Sequence, residues 1–186
     1  MKKLFYSLIA ILFVTSMTSC NPEKQFEKQL VQIDSALVVI DSLEVLMDGI
    51  EFDSLKMMVD HVVLNEGFVK NFYVSDTINE SLGNHLNEAK SVRKVLKGVE
   101  TKKMFFGDEL NALKHQLQDL KEDVKAGLFS EEQLNKYLAN EMQAVLTVTL
   151  SFDDFNKKQI AEKKRYYHAT PSIDEFIELL KHNLED

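Results

Sequence analysis

The stretch INESLGNHLNEAKSVRKVLKGVETKKMFFGDELNALKHQLQDLKEDV, residues 78–124, decides the fold. Positions 78, 82, 85, 89, 92, 96, 99, 103, 106, 110, 113, 117, 120 and 124 advance by alternating steps of four and three, and 12 of these 14 are apolar. The chain is 45% hydrophobic, so roughly six of fourteen would be apolar without a pattern. A sustained seven-residue repeat of this kind is the seam of a coiled coil. Thr77-Ile78-Asn79-Glu80 reads as a capping box at its start, and Ala126-Gly127 places a glycine just past its end. Because the register passes Gly98 and Gly107 without a slip, the reading favours one helix over about 78–126, some 73 Å long at 1.5 Å per residue. A break between residues 98 and 107 is the competing reading, since glycine disfavours a helix interior by about 1 kcal/mol.

Ser130-Glu131-Glu132-Gln133 is a second capping box. The connection is so short that the next helix, about 131–165, must run antiparallel to the first. Leu134, Leu138, Glu141, Val145, Val148, Phe152 and Phe155 continue heptad steps along it. With the turn centred near residue 128, facing residue numbers add to about 256, which sets Lys103 near Asp153 and Glu141 near Lys114 or His115. Residues 145–152 also alternate like a strand, for which Phe68, Phe72 and Val74 would offer a partner. Helix is preferred because the heptad continues on both sides; Leu146 and Leu150 then imply a second buried face against a third helix.

That third helix comes first in the chain. Asn21-Pro22-Glu23 has the order of cap, first-turn proline and acid. Phe26, Leu30, Ile33, Leu37, Ile40, Glu44 and Met47 form its stripe, and Gly49 ends it. A further segment begins near Asp53-Ser54 and is interrupted at Asn65-Glu66-Gly67; a last short helix begins at Thr170-Pro171-Ser172. The expected fold is all-α: an elongated helical bundle built on a long antiparallel coiled-coil hairpin.

The N-terminus carries a different message. Lys2 and Lys3 precede an apolar run, residues 4–14, that is too short to span a bilayer. This is the pattern of a secretory signal peptide, here residues 1–19. Met17-Thr18-Ser19-Cys20 resembles the lipobox of bacterial lipoproteins, departing from it at Met17, where leucine is usual. The resemblance covers residues 1–20. It implies cleavage before Cys20, three acyl chains on that cysteine and attachment to the membrane through the N-terminal lipid. Cys20 is the only cysteine, so an internal disulfide is impossible and an exported free thiol would be unusual. Asn21, rather than aspartate, after the cysteine tilts the resemblance towards the outer membrane of a Gram-negative envelope, with the periplasmic or surface face open.

Residues 20–186 then form a single domain of 167 residues. Loss of Lys2 and Lys3 leaves it at −10, a balance that speaks against nucleic acid as a partner. The histidines at 61, 85, 115, 168 and 182 include no i, i+4 pair, and no Gly-rich phosphate loop or nucleophile elbow is present, so no metal, cofactor or catalysis is expected. Seam residues Glu44, His85, Lys103 and Glu141 read as register-setting. Two patches offer partner contacts: Met104 and Phe105 beside the seam, and the basic and aromatic run Lys163, Lys164, Arg165, Tyr166 and Tyr167. Cations there also suit the expected C-terminus of the second hairpin arm. The function expected is that of an envelope lipoprotein serving as a helical structural or adaptor protein for another envelope protein. The alternative is a carrier holding a small apolar molecule in the bundle. Whether the chain associates with itself is open.

Overall fold

A computed structural model describes residues 22–74 and 79–185. The expected signal peptide, residues 1–19, with Cys20, Asn21 and Thr77, lies outside the described residues. Every element among those described is helical: α1 (Pro22–Gln25), α2 (Glu27–Asp48), α3 (Phe52–Phe72), α4 (Glu80–Leu96), α5 (Val99–Lys125) and α6 (Glu131–Glu185). The all-α bundle expected from periodicity is the fold.

These helices make three arms. The third is α6, unbroken for 55 residues, about 82 Å at 1.5 Å per residue. Against it, α2 and α3 run parallel: Gln29 meets Asn135, Phe52 stacks on Phe155 at 5.9 Å, and Asn65 reaches Asp174. The arm of α4 and α5 runs antiparallel to both. Glu88 faces His168, Ser91 faces Arg165 and Phe106 packs edge-on to Phe152, so facing numbers do add to about 256. Each arm contributes its seam to one core, from Ile33 and Ile40 through Val92, Leu96, Phe106 and Leu117 to Leu134, Phe152 and Ile173.

The capping box at Ser130 forms as written: the Ser130 hydroxyl accepts from the Gln133 backbone N–H, and the Gln133 side-chain Oε1 accepts from the Ser130 backbone N–H. Before it, Gly127 takes a left-handed φ of 71°, the Leu128 N–H reaches the Asp123 carbonyl and the Gly127 N–H that of Val124. This Schellman closure satisfies the orphan carbonyls of α5 and sets the hairpin. Pro22 Cγ lies 3.1 Å from where a Cβ on Gly127 would stand, so α1 sits on the hairpin tip.

Five expectations are corrected. The 78–126 helix is two helices: Lys97 turns extended (ψ 130°) and Gly98 takes φ 74°, while Leu96 and Val99 stay buried on either side. Gly98 supplies a backbone state that other residues resist, so the seam crosses the break in phase. Gly107 remains helical. The α4 cap is Asn79, whose side chain accepts from the Leu82 N–H at 3.0 Å. The segment begun at Phe52 is not interrupted at Asn65, because Asp174 satisfies that buried amide from α6. No new helix starts at Thr170: α6 continues through Pro171. Proline removes the bond to the Tyr167 carbonyl, but both residues are exposed, and Ala169 and Ile173 hold the two halves on one core. Leu146 and Leu150 are 49% and 61% exposed, since α2 and α5 already occupy the faces of α6 at that height.

The two proposed seam pairs also differ. Lys103 lies over the Phe52 ring at 5.6 Å and Asp153 pairs with Lys157; Lys114 bridges Asp41 and Glu44 at 2.8 and 2.7 Å. The α2–α3 arm supplies the partners of both lysines, and a two-helix register cannot represent it. Hydrogen bonds donated by the Lys114 ammonium to the Asp41 and Glu44 carboxylates raise it above the ordinary lysine value.

Candidate functional site

The upper part of the bundle, where α3, α4 and α6 meet, carries polar side chains inside a frame of apolar seams. On the α3 side, His61 shares a 2.8 Å hydrogen bond through Nδ1 with the Tyr166 hydroxyl, and its Nε2 lies 3.3 Å from Asp174 Oδ1. A carboxylate facing Nε2 favours the proton there, so Nδ1 accepts from the phenol. Burial, with the nearby Asp174 charge, raises the Tyr166 phenol above its ordinary value, which keeps that proton in place.

On the α4 side, Glu162 is only 3% exposed; it takes an ion pair from Arg165 and a hydrogen bond from Ser91. Its second oxygen is buried without a hydrogen-bond partner. Six residues further along α6, His168 Nδ1 lies 2.7 Å from Glu88 Oε2, and the His168 ring tilts against His85 with centroids 5.5 Å apart. His85 and Glu88 are three apart on α4 and so share a face. The three residues offer one ligand atom each, all within 4.8 Å of one another. His85 Nδ1 is buried and has no hydrogen-bond partner. The same ring lines a cleft of about 180 Å³ with Leu82, Ser172, Glu175 and Phe176.

The basic and aromatic run is dispersed by the helix that carries it. Lys163 pairs with Glu51 at 3.3 Å and Tyr166 with His61, both towards α3, whereas Arg165 turns to α4 and Lys164 and Tyr167 point outward. These five residues do not make one surface. Nor do they sit at a helix end, since α6 runs twenty residues beyond Arg165. Met104 and Phe105 are exposed on α5, with the Phe105 ring edge-on to buried Phe106. Cys20 lies outside the described residues.

A further surface was absent from the sequence-based list. On the outer face of α2, Val31, Ser35, Val38, Ser42 and Val45 advance by four, three, four and three, and the valines are 60%, 64% and 71% exposed. The serine hydroxyls donate to the carbonyls of Val31 and Val38 four residues back, at 2.8 and 2.7 Å. Each is therefore satisfied within its own helix, leaving an uncharged ridge flanked by exposed Val39 and Leu46. The signal was legible as a second heptad beside the buried one.

Among the described residues, no helix is long and apolar enough to cross a membrane. Comparison with protein-family models, curated proteins and solved structures gives no match to this chain.

Proposed function

We propose that the protein is a cell-envelope lipoprotein, anchored through Cys20, whose bundle is a non-catalytic adaptor docking a helix of another envelope protein along α2. The observation that carries this reading is the Val31-Ser35-Val38-Ser42-Val45 ridge. It spans about 21 Å at 1.5 Å per residue, two heptads of the spacing that a partner helix reads. A solvated helix face ordinarily places charge there, and no contact among the described residues accounts for three exposed valines in register.

The occupant is a helix with basic flanks rather than a second copy, because the chain is strongly acidic and two copies repel. Pro22 lies against Gly127 beside exposed Leu128, which supports a reading in which an acylated Cys20 keeps the hairpin tip on the membrane side and the ridge rises from there. Phe106, Phe152 and Phe155 fill the seam where a carrier of apolar molecules would need space, which favours the adaptor over that alternative.

A photo-reactive residue at Val38, introduced in the native cells, tests the reading. The expected adduct is one discrete envelope protein, captured through a helical segment with lysine or arginine beside its apolar face, and lost when Val31 and Val45 become arginine. An adduct only with another copy of this chain, or none, overturns it.

A further inference from the structure

His85, Glu88 and His168 form the one three-residue cluster of histidine and carboxylate ligands found among the described residues. Two imidazoles and one carboxylate are a borderline donor set. Magnesium and calcium prefer oxygen alone and copper(I) prefers sulfur, whereas zinc, cobalt and nickel take nitrogen with one carboxylate. The ligands also stand on regular elements: His85 and Glu88 on successive turns of α4, His168 on the unbroken α6.

We propose that His85, Glu88 and His168 bind one divalent transition-metal ion of the zinc class, joining α4 to α6. This goes beyond the adaptor reading and stands independently of it.

Three features of the geometry support the site. First, His85 Nδ1 is buried without a hydrogen-bond partner, a state that native interiors rarely tolerate. Second, Glu88 and His168 are already in contact at 2.7 Å, so two ligands are gathered before an ion arrives. Third, the groups that must move are the ones free to move. Zinc ligands lie about 2.0–2.2 Å from the ion, so donor pairs sit about 3.3 Å apart around it: the Glu88–His168 pair opens slightly from 2.7 Å and both close on His85. The His168 side chain is 67% exposed and that of Glu88 38%, and both can rotate onto an ion held at the more buried His85. With three protein ligands, the remaining coordination faces solvent and the cleft beside Ser172 and Phe176, where water or a small ligand completes it.

The test is titration of the purified, chelator-treated protein with zinc chloride by calorimetry, and with cobalt(II) by visible absorption. One saturable site per chain is expected, with the absorption of nitrogen- and oxygen-ligated cobalt and a melting temperature that rises with metal concentration. His168→Gln and Glu88→Gln each weaken binding by about 100-fold or more, since even outer partners of a metal site are worth 10–100-fold. His115→Gln, on a remote and exposed position of α5, leaves binding unchanged. Both affected positions are on the surface, so equal helical circular dichroism in all variants separates loss of the ion from loss of the fold. Absence of saturable uptake, or uptake that survives His168→Gln and Glu88→Gln, overturns the proposal.

Discussion

Glu88 and His168 are eighty residues apart in sequence and 2.7 Å apart in space. Their meeting is a consequence of the hairpin register, which carries the α4–α5 arm past α6 in phase from Gly127 to the far end. A break at Gly98 lies between the hairpin turn and this contact. The register survives because the break occupies one residue pair and returns the seam to the same face.

That interpretation gives two glycines opposite signs. Gly98→Ala forces an alanine into φ 74° and lowers stability by about 1–2 kcal/mol. Gly107→Ala, in regular helix with Met47 Cε at an ordinary 3.8 Å from the new methyl, raises it by about 0.5–1 kcal/mol. Urea unfolding of the two variants checks the contrast. One continuous helix through both sites would make both substitutions stabilising.

Pro171 gives a second test of helix continuity. In the interior of α6 it removes a bond to the Tyr167 carbonyl, so Pro171→Ala stabilises the protein by about 1–3 kcal/mol. If a separate helix started at Thr170, the proline would occupy a favoured first-turn position, and its loss would be neutral or harmful to the melting temperature.

Glu162 and Arg165 are coupled. Arg165→Ala leaves a carboxylate that is 3% exposed with Ser91 as its remaining hydrogen-bond partner, and costs about 3 kcal/mol. Adding Glu162→Gln removes the buried charge and returns part of that loss. A double-mutant cycle in urea measures the coupling, and simple additivity would contradict it.

The alkaline limb of stability is set in part by Tyr166. Its folded pKa is raised above 10.0 by burial, so between the unfolded and folded values the unfolded state has lost a proton that the folded state keeps. Stability is therefore fully present below pH 10 and falls as pH rises through the folded value. Lys114, raised by Asp41 and Glu44, adds a loss of the same sign from 10.5 upward. Tyr166→Phe shows a shallower decline between pH 9 and 11 in unfolding experiments at fixed ionic strength.

Periodicity made the hairpin, its antiparallel run and the 256 register legible, because burial imposes a seven-residue repeat wherever helices share a seam; the direction of the α2–α3 arm was not. It did not separate Gly98 from Gly107: both fit the repeat, and only the backbone at Lys97 distinguishes them. Pro171 misled for the opposite reason, since a proline that opens a helix and one tolerated on a solvent face look alike in sequence. Leu146 and Leu150 were read as buried because apolarity does not say which faces neighbours have already taken. The His85, Glu88 and His168 cluster was within reach of the same register, which sets 88 opposite 168, but a search along one helix for paired histidines passes over ligands that meet across two.

The anchored-lipoprotein account rests first on Cys20. The most direct measurement is the mass of the N-terminal peptide from protein isolated out of native membranes. The account predicts a peptide that begins at Cys20 and carries three acyl chains. A peptide with an unmodified Cys20, or one that begins elsewhere, would contradict it.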